Sequence, residues 1–341
     1  MISNDKNINN LFLYWLIINL MLVFLIIIIG GLTRLTDSGL SITEWELFKG
    51  IVPPTSHVTW EYYFEQYKKI PQYEILNYNM TLDEFKIIFY WEYIHRLLAR
   101  IIGLFFLIPL IYFYFTKKIN KDYLLICLII FCLITLQGIV GWYMVKSGLV
   151  NDVTVSHYRL SIHLSIAFII ISSIFWLIIN ILRKKKELFF IYTKKNFPFL
   201  FLIFLIYLQV VCGAFVSGLD AGRIYQNWPL MGQSYFPNDI IIVNVKSLIN
   251  FNDHSLIQFY HRNLAYMIAV YIFILSFVIY KKDLKPLFKP IGIVIFFLFL
   301  QIILGIFTLI SGLNIYLASA HQISSLLFVF SAINLHYFRT K

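Results

Sequence analysis

The chain has 341 residues, of which 60% are hydrophobic and only 13% are charged, and its mean hydropathy is +0.77. One core could not bury that much apolar surface, so the composition excludes an ordinary soluble globular protein and indicates a polytopic membrane protein. The net charge of +11 does not require a nucleic-acid partner, because basic residues in short loops of a membrane protein face anionic lipid. Membrane lipid is therefore the expected contact, and nucleic-acid binding is not expected.

Eight apolar segments are long enough to cross about 30 Å of hydrocarbon. The first segment is too long for a cleaved signal peptide and has no small-residue cleavage site after it, so it is predicted to be a span. Thr81, followed by Asp83 and Glu84, predicts an N-capped helix that runs on into the second segment. All three cysteines lie inside predicted spans, so no disulfide is expected. In chain order, the spans are predicted at 11–32, 88–115, 122–143, 157–182, 197–218, 256–280, 287–310 and 314–337.

The distribution of lysine and arginine predicts how the chain crosses the membrane. Eight spans return both termini to the same side. The two terminal segments and the links between spans 2–3, 4–5 and 6–7 carry 16 of the 28 basic residues, which favours the cytoplasm or matrix for them. No Arg/Ser-rich transit segment precedes the first span, so we expect a multi-pass protein of a bacterial inner membrane with both termini cytoplasmic.

The two halves of the sequence resemble each other. Four spans per half make the copies parallel, because an even number of spans returns the chain to its starting side. The predicted fold class is an all-α polytopic membrane protein whose eight transmembrane helices form two pseudo-symmetric four-helix bundles, at residues 1–186 and 187–341. The matching stretches are EYIHRLLAR at 92–100 with QFYHRNLAY at 258–266, LQGIVGWYMVKSGL at 136–149 with LQIILGIFTLISGL at 300–313, LSIHLSIAF at 160–168 with ASAHQISSL at 318–326, and LTDSG at 35–39 with GLDAG at 218–222.

Four of the eight histidines occupy repeat-equivalent positions, His95 with His261 and His163 with His321. For a lone intramembrane histidine, a hydrogen bond to a neighbouring helix is as good an explanation as a functional role. Two matched pairs at comparable depth instead favour axial ligation of one haem iron in each half. Zinc would need three or four close ligands, and each half supplies two matched histidines. The remaining histidines lack such counterparts and are interpreted as structural or supporting residues: His57, His157, His254 and His336.

Glu92 distinguishes the two halves. It lies three residues before His95, on the same helix face, whereas its counterpart Gln258 has no ionisable proton. This difference predicts a reactive site with an acid/base group in the first half and an electron-relay site in the second. The alternative is that Glu92 only forms an ion pair with Arg96, one helical turn later.

Five arginines near the predicted outer surface could bind the propionates of a haem through bidentate hydrogen bonds. The alternative for each is a side chain that simply reaches from the apolar region to the interface. The second outer loop, GLDAGRIYQNWPLMGQSYFP, carries aromatic residues suited either to covering a porphyrin or to an interfacial aromatic belt. The arginines are Arg34, Arg96, Arg159, Arg223 and Arg262.

These motifs together resemble those of the haem A synthase family, in the family's order and over nearly the whole chain. The lack of a cysteine pair in the outer loops is similar to the alphaproteobacterial and mitochondrial subgroup. The stretches that carry the resemblance are GGLTRLTDSGLSITEW at 30–45, EYIHR at 92–96, HYRLSIHL at 157–164, AGRIYQNWPLMG at 221–232, YHRNLAY at 260–266 and SAHQ at 319–322.

The resemblance implies an oxidoreductase that converts the C8 methyl group of haem O to the formyl group of haem A by successive hydroxylations, for use in terminal cytochrome oxidases. It implies haem b as a cofactor on His261 and His321, and the substrate haem on His95 and His163. Glu92 would be the catalytic carboxylate beside the substrate. A haem O synthase is the partner implied by the family, whereas the electron donor or acceptor and a homo-oligomeric state stay open.

Two other functions remain compatible with these residues. A quinol-linked di-haem b electron carrier would use the same four histidines, but it predicts symmetric sites and no carboxylate confined to one half. A haem-exporting transporter built from parallel repeats usually has broken helices at the midplane, whereas the polar residues here lie toward the outer leaflet. The difference between Glu92 and Gln258 therefore favours the enzyme.

Overall fold

The computed structural model describes residues 10–45, 49–151 and 153–339. Over these ranges the chain is helical and forms no β-sheet, and eight helices are long and apolar enough to cross a membrane. This confirms the predicted all-α, eight-span class, and the arrangement of the helices as two pseudo-symmetric bundles stays a prediction. The helices are α1 (Asn10–Leu35), α2 (His57–Tyr67), α3 (Pro71–Leu76), α4 (Leu82–Phe115), α5 (Lys121–Asn151), α6 (His157–Leu182), α7 (Phe197–Gly218), α8 (His254–Lys281), α9 (Phe288–Ile310) and α10 (Ile315–Arg339).

The predicted spans agree with the helices except at their ends. Helix α4 begins at Leu82 because Thr81 and Glu84 form a capping box: Thr81 Oγ1 accepts from the Glu84 N–H at 3.3 Å, and Glu84 Oε2 accepts from the Thr81 N–H at 2.8 Å. The capped start that the sequence predicted is thus confirmed. Helix α5 runs on past 143 to Asn151, since hydropathy detects the apolar part of a helix and not a polar extension of it.

Backbone contacts divide the chain into two compact units. The first unit comprises Met1–Arg159 and Ile166–Lys185, and the second comprises Leu160–Ser165 and Lys186–Lys341. In the first unit α4 packs against α1 and α5; in the second, α7 packs against α8 and α10, and α9 against α10. Helix α6 contributes residues to both units, because the stretch around His163 belongs to the second.

One face of α1 is fixed against α4 by aromatic packing. The ring of Phe12 meets that of Phe113 edge-on with centroids 5.4 Å apart, and Trp15 lies 4.8 Å from Phe106. The Trp15 Nε1–H also donates to a backbone carbonyl of α4 at 2.9 Å. The buried face continues along α1 at three- and four-residue spacing and leads to Gly30: Phe12, Leu16, Asn19, Val23 and Ile27.

Helices α1 and α7 end in the same way. Asp37 and Asp220, which are equivalent in the repeat, both have φ of 51°. Aspartate tolerates this left-handed conformation better than most residues, and it stops the helix. The chain therefore turns sharply at both places into two connecting segments, which we call the α1–α4 segment (residues 36–81) and the α7–α8 segment (residues 219–253).

A buried tyrosine ties the α1–α4 segment together. Tyr67 is fully buried, its hydroxyl donates to Gln72 Oε1 at 3.0 Å, and it accepts from Asn77 Nδ2 at 2.7 Å. Gln72 in turn donates to the Asp37 carbonyl at 3.1 Å. Burial raises the pKa of Tyr67 to about 12, so this hydroxyl stays protonated at physiological pH and keeps its donor role.

We expect Tyr67→Phe to lower the free energy of unfolding by about 1–3 kcal/mol, because it leaves buried amide groups without a partner. Thermal unfolding of the purified protein in detergent would measure the change. The matched control is Tyr78→Phe, since the Tyr78 side chain is 64% exposed. Equal stability of the two variants would contradict a structural role for the Tyr67 hydroxyl.

Candidate functional site

Glu92 is buried, and its hydrogen bonds to Ser41, Ile42 and Arg96 all lie within the first unit. Its side chain lies on α4 and the residue is 2% exposed. Oε2 accepts from the Ser41 hydroxyl at 2.7 Å and from the Ile42 N–H at 2.8 Å, while Oε1 accepts from Arg96 at 2.5 Å. The ion pair with Arg96 is therefore present, and the carboxylate also holds the α1–α4 segment.

Arg96 completes this attachment. Its guanidinium donates to the Ile42 carbonyl at 2.9 Å and lies 5.4 Å from the centre of the Trp45 ring. The backbone of Ile42 is thus bound on both sides, through its N–H by Glu92 and through its carbonyl by Arg96. We call Glu92 and Arg96, with the Ile42 backbone, the first clamp.

The second unit repeats the clamp with an amide in place of the carboxylate. Gln258 Nε2 donates to the Tyr225 carbonyl at 2.8 Å, and Arg262 donates to the same carbonyl at 3.0 Å. Arg262 also donates to the carbonyls of Asn227 and Leu230, at 3.0 and 3.1 Å. Tyr225 occupies the repeat position of Ile42, 183 residues later, the offset that relates LTDSG to GLDAG. The two clamps share the arginine bond to the backbone carbonyl. They differ one turn earlier, where Glu92 accepts from the Ile42 N–H and from Arg96, whereas Gln258 donates to the Tyr225 carbonyl.

The clamp in the second unit is reinforced by an aspartate. Tyr225 donates its hydroxyl hydrogen to Asp239 Oδ1 and Ser255 donates to Oδ2, both at 2.6 Å. Burial raises the pKa of Asp239, but the hydrogen bonds from Ser255 and Tyr225 outweigh it, and the pKa lies below its usual value. Asp239 is therefore ionised at neutral pH and fixes the α7–α8 segment to the first turn of α8.

Three of the four matched histidines lie against a glycine of a neighbouring helix. A Cβ built on Gly30 would be 2.9 Å from Cε1 of His95. A Cβ on Gly213 would be 3.2 Å from Cε1 of His261, and one on Gly305 would be 3.1 Å from Cε1 of His321. Each imidazole therefore sits closer to the neighbouring backbone than any larger residue would allow without a shift.

The backbones of His261 and His321 are each held by a glutamine of a neighbouring helix. Gln209 on α7 donates to the His261 carbonyl at 3.0 Å, and Gln301 on α9 donates to the His321 carbonyl at 3.0 Å. Nδ1 of His321 is buried with no hydrogen-bond partner among the described residues.

His95 and His163 are both half-buried, in the middle of α4 and in the second turn of α6. Nδ1 of His95 is buried with no hydrogen-bond partner in the described ranges. The remaining histidines have structural surroundings or are exposed. His57 is exposed and pairs with Glu61 at 3.3 Å, His157 is buried against the Tyr158 ring, His254 is exposed at the start of α8, and His336 is buried and bonds the Phe189 carbonyl at 2.9 Å.

The five arginines differ in what they contact. Arg34 pairs with Asp37 at 2.7 Å, and Arg159 donates to Ser147 at 2.5 Å and lies over the Tyr143 ring. Arg96 and Arg262 belong to the clamps. Arg223 is exposed, and its guanidinium makes no hydrogen bond or ion pair within the part of the chain that is described.

These surroundings fit a haem better than a bare metal ion. Within the described residues no three or more histidine, cysteine, aspartate or glutamate side chains come together, whereas haem iron takes only two axial protein ligands. Rings that lie against glycines are held in one place beside a neighbouring helix, as the imidazoles of a metal site are. His261 and His321 are the pair whose described surroundings support this role most directly.

The sequence did not identify every residue of this site. Ser41 and Ile42 were missed because they act from an irregular segment, and Ile42 acts through its backbone. The glycines and Gln209 were also missed. The internal repeat carried a signal for these residues. Gly30 and Gly213 are 183 residues apart, the offset that relates LTDSG to GLDAG. Gln301 precedes Gly305 by four residues, as Gln137 precedes Gly141.

Comparison with known proteins agrees with this chemistry. Residues 13–333 match the family model described as cytochrome oxidase assembly protein. A protein named Heme A synthase from Pelagibacter ubique is 51% identical, over 96% of this chain and 96% of its own length. Proteins of the same name from Rickettsia felis and Rickettsia bellii are 42% and 43% identical, over 92% and 90% of the chain and 93% and 92% of their own lengths.

Proposed function

Because the chain belongs to the cytochrome oxidase assembly protein family, we propose that it is an oxidoreductase acting on haem: a haem A synthase. It oxidises the C8 methyl group of haem O to a formyl group by successive hydroxylations and so provides haem A for terminal cytochrome oxidases. The observation that carries the proposal is the pair of clamps: an arginine binds the equivalent backbone carbonyl in each half, and the residue one turn earlier is Glu92 in the first half and Gln258 in the second.

A di-haem b electron carrier is the second candidate. Such a carrier moves electrons only, so it needs no proton acceptor at one site, and two amide clamps or two carboxylate clamps would serve it equally. The confinement of the carboxylate to one clamp is what favours oxidation of a substrate, a reaction that releases protons.

In the proposed enzyme His261 and His321 hold a resident haem b, and His95 and His163 hold the substrate haem O. Haem b, when bound, supplies electron transfer. Arginines would bind the haem propionates, and Arg223 is the first candidate because its guanidinium is exposed and makes no hydrogen bond or ion pair in the described structure. Residues 1–186 then carry the substrate site and residues 187–341 the haem b site.

Glu92 is proposed to take up and release a proton at Oε2. The Ser41 hydroxyl lies 2.7 Å from Oε2 and 3.2 Å from the Ile88 carbonyl, so its single hydrogen can point to either one. When Oε2 is protonated, Ser41 turns its hydrogen to the carbonyl and accepts the hydrogen bond instead. The proton can therefore be held without leaving a buried polar group unpaired.

The experiment that tests the function is expression with a haem O synthase, the partner that supplies the substrate, in a host that lacks haem A. Extracted haems are identified by mass. Haem A or its hydroxylated precursor establishes the reaction. Only haem B and unmodified haem O, in a folded and haem-loaded protein, would support the electron carrier.

The chain is a multi-pass membrane protein by its eight apolar helices, and we place it in the bacterial inner membrane with both termini in the cytoplasm. An accessibility tag inserted after Leu219, at the end of α7, is then expected to react with an impermeant reagent added to the periplasm. A second tag in the α6–α7 link should react only after the membrane is permeabilised. The reverse pattern would invert the topology.

Gly30→Ala tests the role of His95. The added Cβ would lie 2.9 Å from Cε1 and 3.3 Å from Nδ1 of the ring, so the imidazole must move. Overpacking of this kind costs about 1–3 kcal/mol, and we expect haem O to bind roughly ten-fold more weakly or worse. The control is Gly103→Ala on α4, where a Cβ meets nothing within 4 Å. Equal haem O affinity in a spectral titration would contradict the assignment of His95.

A further inference from the structure

Gln209 does more than fill space between α7 and α8. Its Nε2 donates to the backbone carbonyl of His261 at 3.0 Å and lies 3.1 Å from Nδ1 of the same residue. Four residues later, Gly213 gives the His261 ring its place against α7. One helix thus holds both the backbone and the ring of a histidine on the next helix.

The same arrangement occurs between α9 and α10. Gln301 donates to the His321 carbonyl at 3.0 Å and to the Ser324 hydroxyl, and Gly305 lies against the His321 ring. Glutamine and glycine are again four residues apart, on one helix face. We call this arrangement the Gln–Gly brace, formed by Gln209 with Gly213 and by Gln301 with Gly305.

The first unit lacks this brace at His95. Gly30 keeps the place of the ring, but the residue four positions earlier is Ile26, which cannot donate a hydrogen bond. Gln137, the counterpart of Gln301, resembles Gln209 in that its Oε1 is buried without a hydrogen-bond partner among the described residues. The difference between the halves therefore lies at His95, which lacks the glutamine that His261 has.

We infer that Gln209 and Gln301 are positioning residues that keep haem b bound through turnover, and that Ile26 leaves His95 unbraced so that the first site can release its haem. The inference rests on the proposed function, in which one haem is resident and the other is exchanged. A resident ligand benefits from a fixed histidine, because residues that orient a metal-binding imidazole typically change metal affinity by about 10- to 100-fold.

The side-chain amide of Gln209 also has a free acceptor. Its Oε1 is buried with no hydrogen-bond partner in the described ranges. An imidazole that binds metal through Nε2 carries its hydrogen on Nδ1 and needs an acceptor there. Rotation of the amide brings Oε1 to the place 3.1 Å from Nδ1 that Nε2 holds now, so Gln209 then exchanges its hydrogen bond to the His261 carbonyl for one from the ring. Gln209 thus has a group for each state of the ring, which isoleucine at the equivalent position does not.

The test compares Gln209→Ile, which copies the first unit, with the wild type, both purified as the full chain in detergent. Haem loss to an added apo-globin is followed by absorbance, and the midpoint potential of the remaining haem is measured by redox titration. We expect loss to be at least ten-fold faster, with a changed midpoint potential. Gln301→Leu is a second variant of the same kind, and Gln233→Ile, in the exposed α7–α8 segment, is the control.

The reverse change, Ile26→Gln, is expected to slow the release of haem O from the first site several-fold, because it adds a donor one turn before Gly30. Wild-type rates and potentials in both Gln209→Ile and Gln301→Leu would overturn the inference, and so would a wild type that binds no haem. Haem A output is scored on the same preparations. If the variants lose haem faster but no preparation forms haem A, the inference about the Gln–Gly brace stands and the proposed function is wrong.

Discussion

Replacement of His261 or His321 by alanine is expected to abolish the haem b spectrum of the purified protein. Each imidazole lies against a glycine and on a backbone fixed by a glutamine. If these histidines hold haem b as proposed, removal of either one would take away one of the two protein ligands of the iron, and haem b would bind weakly or not at all. Reduced-minus-oxidised spectra and the haem content per protein measure the effect.

The control for this prediction is His254→Ala, on the same helix as His261 but exposed at its start. It should retain the full haem b signal. Helical content by circular dichroism separates loss of ligand from loss of fold. Retention of the haem b spectrum in both His261→Ala and His321→Ala would move the ligands elsewhere.

Glu92→Gln is expected to stop haem A formation while haem binding persists. The amide oxygen can still accept from the Ser41 hydroxyl and the Ile42 N–H, whereas the amide NH2 faces Arg96 and cannot accept its hydrogen bond, so the first clamp keeps its bonds to the α1–α4 segment and loses the ion pair. It cannot take up a proton, and the loss of a general base typically lowers a rate by about 10²- to 10⁴-fold. Haem O or its hydroxylated form should therefore accumulate among the extracted haems.

The structural alternative for Glu92 is tested with Arg96→Lys. Lysine keeps a positive charge beside Glu92 but cannot donate from a planar fork to both the carboxylate and the Ile42 carbonyl. If Glu92 acts only through the clamp, both variants should lower the melting temperature and haem A output together. If Glu92→Gln forms as much haem A as the wild type, the role of Glu92 is structural and not catalytic.

Much of the fold could be predicted because the membrane imposes a simple rule on sequence. Spans need about 20 apolar residues, and α1 and α4 to α10 all carry that signal. The capped start of α4 was also visible, since Thr81 and Glu84 have the spacing of a capping box. The short helices α2 and α3 were not predicted, because neither carries a long apolar run.

The candidate site was predicted in part for a different reason. Duplicated histidines and the Glu92/Gln258 difference are readable from side-chain identity alone. The contacts that surround Glu92 are not, because the Ile42 N–H and carbonyl belong to any residue. Which helix faces His95 also depends on packing, and the pairing of Gly30 with that ring became evident only when α1 was seen against α4.

Both clamps hold the backbone of the residue they fasten, so the arginine contact does not depend on the side chain of that residue. Isoleucine stands at 42 and tyrosine at 225, yet either carbonyl is bound by an arginine in the same way. The arginine contact to the backbone carbonyl is therefore compatible with different side chains at the two equivalent positions, and each connecting segment can present its own surface. In the proposed enzyme, the two halves can thus differ in chemistry and still keep one kind of attachment.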